Sequence, residues 1–521
     1  MDERAGRRLA WSTAIFSLAT GVSRVLGLVR EIVAKNYFGV NGPVNAFEIA
    51  FLVPNTVRAL VADAALSSAF VPVFGDLLEK GERERAWRVA STLLWLSALA
   101  LGALTAVFVL IAPWLMPLLY PHYRPLLVGL SQLLFPIVAL LGVSGIVVGI
   151  LNTYEEFSIP ALTPVAWNLV IIAGLVLGVP RVESPDDKLY VYAGAILAGT
   201  VVQVLLPIPW LRGLDGRLRL VLDWRDPAVR QVFKLMLPVT LGLGLININA
   251  LIDGVIGGWL ISPNAPASIT AAFRIYMLPQ GMFSVAIATV LFPSLARLAS
   301  RRDMDGFRST TSLGLRQIAF LLVPASAVTA VLAEPVTRLI YQRGAFTPSQ
   351  TPVVASCLAA FSLGLAFNGT MLMLNRSFFS LQENWIPTAV ALGNLALNAV
   401  LDIAFSPLGT WGIPLATSVV NIAGTAALLV LMRRRLGRID FGSVAASFAR
   451  VSVAAVVAAG VAFGVWKALD DAFGRSLAGQ LGSLVPALVA AIAVYLGLAR
   501  LLRVREMQAL LSLRSRFRRG R

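Results

Sequence analysis

The amino-acid sequence predicts an all-α polytopic membrane protein with about fourteen transmembrane helices. Hydrophobic residues make up 57% of the 521 residues, charged residues make up only 14%, and the mean hydropathy is +0.78. A soluble protein of this length needs a more polar surface, because its exterior faces water. Here the apolar residues form blocks such as 89–119 and 411–432. A helix needs about 20 such residues to cross a bilayer.

Fourteen apolar blocks follow one another, separated by polar residues or by Pro and Gly. The N-terminal block lacks the short apolar region and cleavage site of a signal peptide, so we interpret it as a retained first helix. The predicted centres of the fourteen spans are Ala19, Asn55, Ala103, Val138, Val170, Ala198, Leu245, Ala286, Val323, Leu365, Leu395, Val420, Ala458 and Ala490.

Basic residues alternate between loops and predict the orientation of the chain. They concentrate near the N-terminus and in the segments 80–88, 212–225, 297–308, 433–438 and 500–521, whereas the alternate loops are sparser, with Lys35 in the first of them. By the positive-inside rule the basic segments are cytoplasmic, so both termini are cytoplasmic and the number of helices is even. This placement accounts for the net charge of +17 without a nucleic-acid partner. The basic tail is expected to lie against anionic membrane lipids.

Two pairs of similar segments predict an internal duplication. Pro72 and Pro293 each separate an apolar segment from a charged loop, and Glu156 and Glu383 each precede an Ile-Pro pair. Both pairs are offset by six helices, which indicates two six-helix lobes related by a pseudo-two-fold axis along the membrane normal. The predicted divisions are an N-terminal lobe, a C-terminal lobe, two appended helices and a basic tail, at residues 1–220, 221–438, 439–505 and 506–521.

Arginines inside the predicted spans are the candidate binding residues, because an Arg at mid-bilayer costs about 2.5–3.5 kcal/mol and needs a compensating partner. The first span carries Arg24 and Arg30, the second carries Arg58, and the eighth carries Arg274. The planar, permanently charged guanidinium matches phosphate and carboxylate oxygens. Four arginines from three helices favour a diphosphate over a single carboxylate. The alternative interpretation pairs them with nearby acidic residues as structural ion pairs.

Several other reaction classes are excluded or disfavoured by missing residues. The chain has no G-x-x-x-x-G-K-[ST] phosphate-binding loop, and its single His and single Cys, His122 and Cys357, cannot form a multi-ligand metal site. We therefore predict no cofactor, no metal and no enzymatic activity. Transport would be driven by gradients or by the membrane potential.

Two motifs carry a resemblance to a known family: SRVLGLVR at residues 23–30 and PNTVR at residues 54–58. The eighth span adds Arg274 and Pro279. On these motifs the chain resembles the MurJ (MviN) family, flippases of the peptidoglycan precursor lipid II that share a superfamily with multidrug and toxin extrusion transporters. The resemblance implies a bacterial inner-membrane protein that moves lipid II to the outer leaflet by alternating access.

The same resemblance implies an inward-open central cavity in which Arg24, Arg30, Arg58 and Arg274 bind the pyrophosphate of lipid II. It also implies a groove for the lipid tail on the last two helices. The residues expected to support or gate the site are Ser23, Gly27, Glu31, Asn45, Asn55, Pro54, Asp63, Asp253 and Pro279. The chain departs from the family at Asn45, where many members carry Asp, and at Phe273 and Met277, where acidic residues are common.

Other transport functions stay open at this point. A flippase for another undecaprenyl-pyrophosphate-linked glycan would use the same anion site. A cation-coupled multidrug exporter would need an acidic cavity, for which Glu48, Asp63 and Asp253 are the candidates. The sequence also leaves open whether a cation or an anion is co-transported.

Overall fold

A computed structural model describes residues 3–61, 64–437, 441–504 and 506–507, and within them the chain is helical with no β-strand. The chain divides into two compact units, Met1–Trp259 and Leu260–Arg521. The described helices of the first unit are α1 Glu3–Phe38, α2 Val44–Val61, α3 Ala64–Glu79, α4 Arg83–Leu119, α5 Arg124–Leu134, α6 Pro136–Thr153, α7 Ser158–Ala173, α8 Pro185–Leu205 and α9 Pro227–Ile256.

The described residues of the second unit form ten α-helices. These are α10 Ala265–Pro279, α11 Val285–Ser300, α12 Met304–Val331, α13 Ala333–Tyr341, α14 Thr351–Leu363, α15 Leu365–Ser380, α16 Trp385–Phe405, α17 Gly412–Leu436, α18 Phe441–Phe473 and α19 Leu477–Leu501.

The polytopic membrane class predicted from hydropathy is confirmed. Within the described residues, ten helical segments are long and apolar enough to cross a membrane, and the bent pair α14–α15 makes an eleventh. All fourteen predicted span centres fall inside helices. The exact count of fourteen and the pseudo-two-fold relation of the lobes stay predictions.

Local sequence signals set several helix starts. Asp226 caps α9 by accepting a hydrogen bond from the backbone N–H of Ala228 at 2.8 Å, with Pro227 in the first turn. Asp303 caps α12 and Ser476 caps α19 in the same way. These side chains satisfy N–H groups that have no partner within the helix, and proline is tolerated at the first position for the same reason.

Helix α9 packs on α2 and α3, inside the first unit. The sequence-based boundary at residue 220 assigned this helix to the C-terminal lobe. The compact unit therefore extends beyond the predicted N-terminal lobe by one helix. The lobe boundaries themselves, which rest on the internal duplication, stay a prediction.

The two C-terminal helices pack on each other, and α18 also packs on α12. Trp466 of α18 lies in an apolar cluster with Leu332 and Leu484, and the Tyr495 hydroxyl of α19 donates to the Phe320 carbonyl of α12 at 2.6 Å. Helices α18 and α19 are thereby fixed to the second unit.

Helices α14 and α15 meet at a 44° bend at Gly364. The bend frees the Ala360 carbonyl, which accepts a hydrogen bond from the Ser418 hydroxyl of α17 at 2.6 Å. The same hydroxyl contacts the Phe361 carbonyl at 3.2 Å. A Cβ atom at Gly364 would lie 2.7 Å from the Ser418 Cα, so α17 approaches here only because residue 364 has no side chain.

Gly364→Ala is expected to destabilise the second unit by about 1–3 kcal/mol, because the added methyl group meets backbone that cannot move aside. The measurement is thermal unfolding of the purified protein in detergent. Gly393→Ala is the matched control, since a Cβ there meets nothing within 4 Å and alanine favours a helix. Equal unfolding temperatures for the two variants would contradict the close approach of α17.

Candidate anion-binding site

One face of α1 packs against α7 at Asn168. A Cβ on Gly27 would lie 4.0 Å from the Asn168 Oδ1, and the Asn168 Nδ2 approaches the Ser23 carbonyl at 3.5 Å. Ser23, Gly27 and Arg30 follow the spacing of one helical face. Helix α1 is continuous from Glu3 to Phe38. Gly27 therefore lies in a continuous helix, at the point where α1 packs against Asn168.

Arg30 is held by neutral groups. Its Nη1 donates to Asn168 Oδ1 at 3.1 Å, and its guanidinium carbon lies 4.7 Å from the centroid of the Trp167 ring. Its Nε is buried and has no hydrogen-bond partner among the described residues. The ion pairs between described residues do not include Arg30. An amide and an aromatic face stabilise the cation without cancelling its charge.

The neutral partners of Arg30 are themselves fixed by hydrogen bonds. The Asn168 Nδ2 donates to the Pro164 carbonyl at 2.9 Å, and the Trp167 Nε1 donates to Thr200 Oγ1 of α8 at 3.1 Å. Trp167 and Asn168 were not identified from the sequence. An apolar-looking helix with a single Trp-Asn pair carries no signal that this pair faces an arginine of another helix.

Arg58 lies on α2, four residues after Pro54. Its Nε and Nη2 both donate to Asn55 Oδ1, at 3.2 and 2.8 Å, so two residues of the PNTVR motif are in contact. Both side chains border a cavity of about 340 Å³ inside the first unit. The cavity is lined by Phe51, Pro54, Asn55, Arg58, Ile137, Leu141, Pro164, Trp167, Ile196, Thr200 and Gln203.

Trp167 connects the two arginines. Its side chain lines the cavity beside Arg58 and also lies against the guanidinium of Arg30. Arg24 lies elsewhere: it is exposed, and about 600° of helical rotation separates it from Arg30, which places it roughly 120° away around the helix. Among the described residues its guanidinium makes no hydrogen bond or ion pair.

The acidic residues near these arginines pair with a lysine. Lys35 is 2% exposed, and its Nζ lies 2.9 Å from Glu48 Oε1 and 3.8 Å from Glu31 Oε1. Glu31 and Glu48 therefore share a lysine as a described partner, and the alternative interpretation that acidic residues pair with the arginines stays a prediction. The prediction that Lys35 belongs to a sparse outer loop is also wrong, since it is buried in the last turn of α1. Asp63 lies outside the described residues.

Asn45 closes the turn between α1 and α2. Its Nδ2 donates to the Val40 and Gly42 carbonyls, both at 3.0 Å, and the residue is fully buried. An ionised aspartate has no hydrogen to donate to these carbonyls. The Asp that many family members carry at this position would therefore not make the contacts that Asn45 makes here. Asp253 on α9 is buried as well, with Asn249 Nδ2 at 3.4 Å from both carboxylate oxygens.

Arg274 lies on α10 of the second unit and is partly buried. The chain stays helical past Pro279: α10 ends at this residue, and a π-helical turn, Gln280–Ser284, continues into α11. Such turns occur frequently at functional sites. The Gln280 Nε2 donates to Asn368 Oδ1 at 2.8 Å.

Phe273 and Met277, the two residues beside Arg274 that differ from the family pattern, have different surroundings. Phe273 belongs to an aromatic cluster, with ring centroids 5.6 Å from Tyr276 and 5.5 Å from Phe361, whereas Met277 is exposed. Phe273 thus packs where a carboxylate would need a polar partner.

Comparison with known proteins decides the family. The model of the family described as lipid II flippase MurJ matches residues 34–477. The chain belongs to the MurJ family. It is 31% identical over 441 residues to a probable lipid II flippase MurJ of Vibrio cholerae, covering 81% of this chain and 82% of the relative. It is 30% identical over 452 residues to one from Synechocystis, covering 84% of each.

Solved structures agree on the fold of this MurJ family member. The chain is similar to a lipid II flippase MurJ in an inward closed conformation, with a TM-score of 0.78, 24% identity, and coverage of 94% of this chain and 98% of that one. It is also similar to an inward-facing multidrug MATE transporter of the MOP superfamily, with a TM-score of 0.67 and 18% identity over 82% of this chain and 95% of the other. The chain is therefore a multi-pass membrane protein of the transporter fold that the resemblance implied.

Lys35→Met is expected to lower stability by about 3–5 kcal/mol, because it leaves the buried Glu31 and Glu48 without their cation. Thermal unfolding in detergent measures the loss. The variant Lys35→Met/Glu31→Gln/Glu48→Gln removes all three charges and should recover most of it. Native-like unfolding of the single variant would show that the ion pair does not hold α1 to α2.

Proposed function

We propose that this protein is a flippase that carries lipid II from the cytoplasmic to the outer leaflet of the bacterial inner membrane, without chemically changing it. The family membership supports the substrate. The observation that carries the mechanism is the placement of Arg30, whose guanidinium is held by Asn168 and Trp167 beside the cavity that Arg58 lines. A cation supported by neutral groups remains available to an anion.

A pyrophosphate suits this arrangement for two reasons. Its oxygens accept bidentate hydrogen bonds from planar guanidinium groups, and its charge is matched by more than one arginine. Arg24 and Arg274 are proposed to complete the set during the transport cycle. The potential of a negative cell interior favours outward movement of an anion by about 2.3 kcal/mol per charge per 100 mV.

The contacts of Lys35 with Glu31 and Glu48 support the same conclusion. Glu31 directly follows Arg30 in the chain, yet its carboxylate approaches Lys35 at 3.8 Å. Glu48 pairs with the same ammonium at 2.9 Å. By holding both carboxylates, Lys35 keeps them from competing with a substrate anion for the arginines.

Helices α18 and α19 are proposed to contact the lipid tail. They carry exposed apolar side chains that a polyprenyl chain or bilayer lipid would cover, among them Val453, Val456, Val489 and Ile492. We further propose that both termini are cytoplasmic, that residues 506–521 contact anionic lipids, and that the chain has no nucleic-acid partner.

A flippase for another glycan linked to undecaprenyl pyrophosphate uses the same site chemistry and is the second candidate. A cation-coupled drug exporter is less well supported, because Glu48, one of its proposed acidic groups, is engaged by Lys35.

Arg24→Ala and Arg58→Ala are each expected to abolish complementation of a bacterium depleted of its lipid II flippase, at matched membrane levels. Arg58→Lys should rescue only partly, since an ammonium cannot make the bidentate contact. Arg181→Ala is the control, because its exposed guanidinium donates to its own helix at Leu177. Normal growth with either alanine variant overturns the anion site, whereas failure of the well-inserted wild type points to another glycan.

Asn168→Asp is expected to impair growth in the same assay at least as severely as Asn168→Ala. The aspartate retains the shape of the amide but places a carboxylate within about 3 Å of Arg30 and neutralises it. The alanine variant removes the hydrogen-bond acceptor of Arg30, and a hydrogen bond to a charged group contributes about 1.5–3 kcal/mol. Both variants also lose the bonds that the Asn168 Nδ2 donates to backbone carbonyls, so that loss does not distinguish them. If the aspartate variant supports normal growth, the positive charge of Arg30 is not what the substrate uses.

A further inference from the structure

The loop that joins α8 to α9 contains a segment without regular secondary structure, residues 217–225, which we call the strap. Its sequence is RLRLVLDWR. The proposed transport mechanism assigns it no role. Its backbone is tied to α4 by three hydrogen bonds: the Arg219 N–H donates to Ser91 Oγ at 3.0 Å, the Trp95 Nε1 donates to the Arg219 carbonyl at 3.1 Å, and the Asp223 N–H donates to Thr92 Oγ1 at 3.1 Å.

Both ends of the strap are anchored as well. On the N-terminal side, Asp215 pairs with Arg83 at 3.2 Å, and Gly216 lies so close to Trp87 that any Cβ would overlap the indole ring. On the C-terminal side, Asp226 accepts two hydrogen bonds from Arg85, both at 3.1 Å. The strap is therefore held in one place on the first unit.

The strap presents an apolar and basic outer side. Leu218 packs against the core of the first unit, whereas Leu220, Leu222 and Trp224 are 77%, 46% and 57% exposed. The exposed arginines are Arg217, Arg219 and Arg225. Such a mixture of aromatic, aliphatic and basic side chains is typical of elements that lie at a membrane interface.

The depth of the strap in the membrane follows from its contacts with α4. The exposed apolar stripe of α4 runs from Leu99 to Leu118. At 1.5 Å per residue this stripe is about 28 Å long, which matches the hydrocarbon core of a bilayer. Trp95 and Ser91 lie about 6 and 12 Å beyond Leu99 along the same helix. The strap is thus placed at the depth of the lipid headgroups.

We propose that the strap is a binding site for anionic phospholipids. Leu220, Leu222 and Trp224 insert between the lipids, and the three arginines contact headgroup phosphates. Charge complementarity favours this occupant: Asp223 is the strap's one acidic residue and is partly buried, and the flanking Asp215 and Asp226 are already paired with arginines of α4. A guanidinium near a membrane surface contributes about 1 kcal/mol of attraction to anionic lipid. The inference does not depend on the transported substrate.

The insertion is tested by placing an environment-sensitive thiol probe at Leu222→Cys in vesicles of phosphatidylglycerol and phosphatidylcholine. Lipids brominated in the acyl chain should quench this probe. A probe at Glu84→Cys should remain unquenched, since residue 84 lies about 22 Å beyond Leu99 along α4. The native Cys357 is fully buried, so the unsubstituted protein measures background labelling. An unquenched probe at residue 222 overturns the proposal and leaves the strap as a surface for a soluble partner.

The headgroup preference is tested by counting the phosphatidylglycerol molecules that stay bound to the purified protein in native mass spectrometry. The variant Arg217→Gln/Arg219→Gln/Arg225→Gln should bind this lipid about tenfold or more weakly. The variant Arg217→Lys/Arg219→Lys/Arg225→Lys preserves the charge and should bind nearly as well as the native protein. Unfolding temperatures in phosphatidylcholine verify that both variants are folded. Unchanged retention in the glutamine variant overturns the assignment to anionic lipid.

Discussion

The ion pair between Lys35 and Glu48 is the interaction on which the proposed arginine site depends. Unpaired charges are expensive away from water, so every acidic side chain near the arginines must find a cation. Lys35 provides that cation for Glu48 and lies near Glu31, at the end of the helix that carries Arg24 and Arg30. In the described contacts, the carboxylates of Glu31 and Glu48 therefore lie against Lys35.

The contacts of Arg30 can be compared with the free-energy cost of burying its charge. Burying an arginine at mid-bilayer costs about 2.5–3.5 kcal/mol. A cation–π contact contributes about 0.5–2 kcal/mol, depending on how far it is shielded from water. A hydrogen bond to a charged group contributes about 1.5–3 kcal/mol. The contacts of the partly buried Arg30 with Trp167 and Asn168 are therefore of the same order as that cost. A carboxylate partner would stabilise the cation as well, but it would also remove the charge that an anionic substrate needs.

Much of the fold could be predicted because hydropathy and helix length act locally. Every predicted span centre lies in a helix, and the change from α-helical to π-helical hydrogen bonding occurs just after Pro279, which has no N–H to donate. The packing of α9 with the first unit could not be predicted, because it depends on which apolar faces meet. The bend at Gly364 was also missed, since a glycine in an apolar helix does not reveal that another backbone approaches it.

The sequence by itself determined the membrane class, the positions of the helices and the identity of the charged residues, because these depend on composition along one segment at a time. It also indicated the family, through motifs on α1 and α2. Only the tertiary structure decided which charges pair: Glu31 and Glu48 with Lys35, and Arg30 with neutral groups of α7. Partner choice depends on distances of a few ångströms between helices that are far apart in the chain. The sequence of a single segment does not predict those distances.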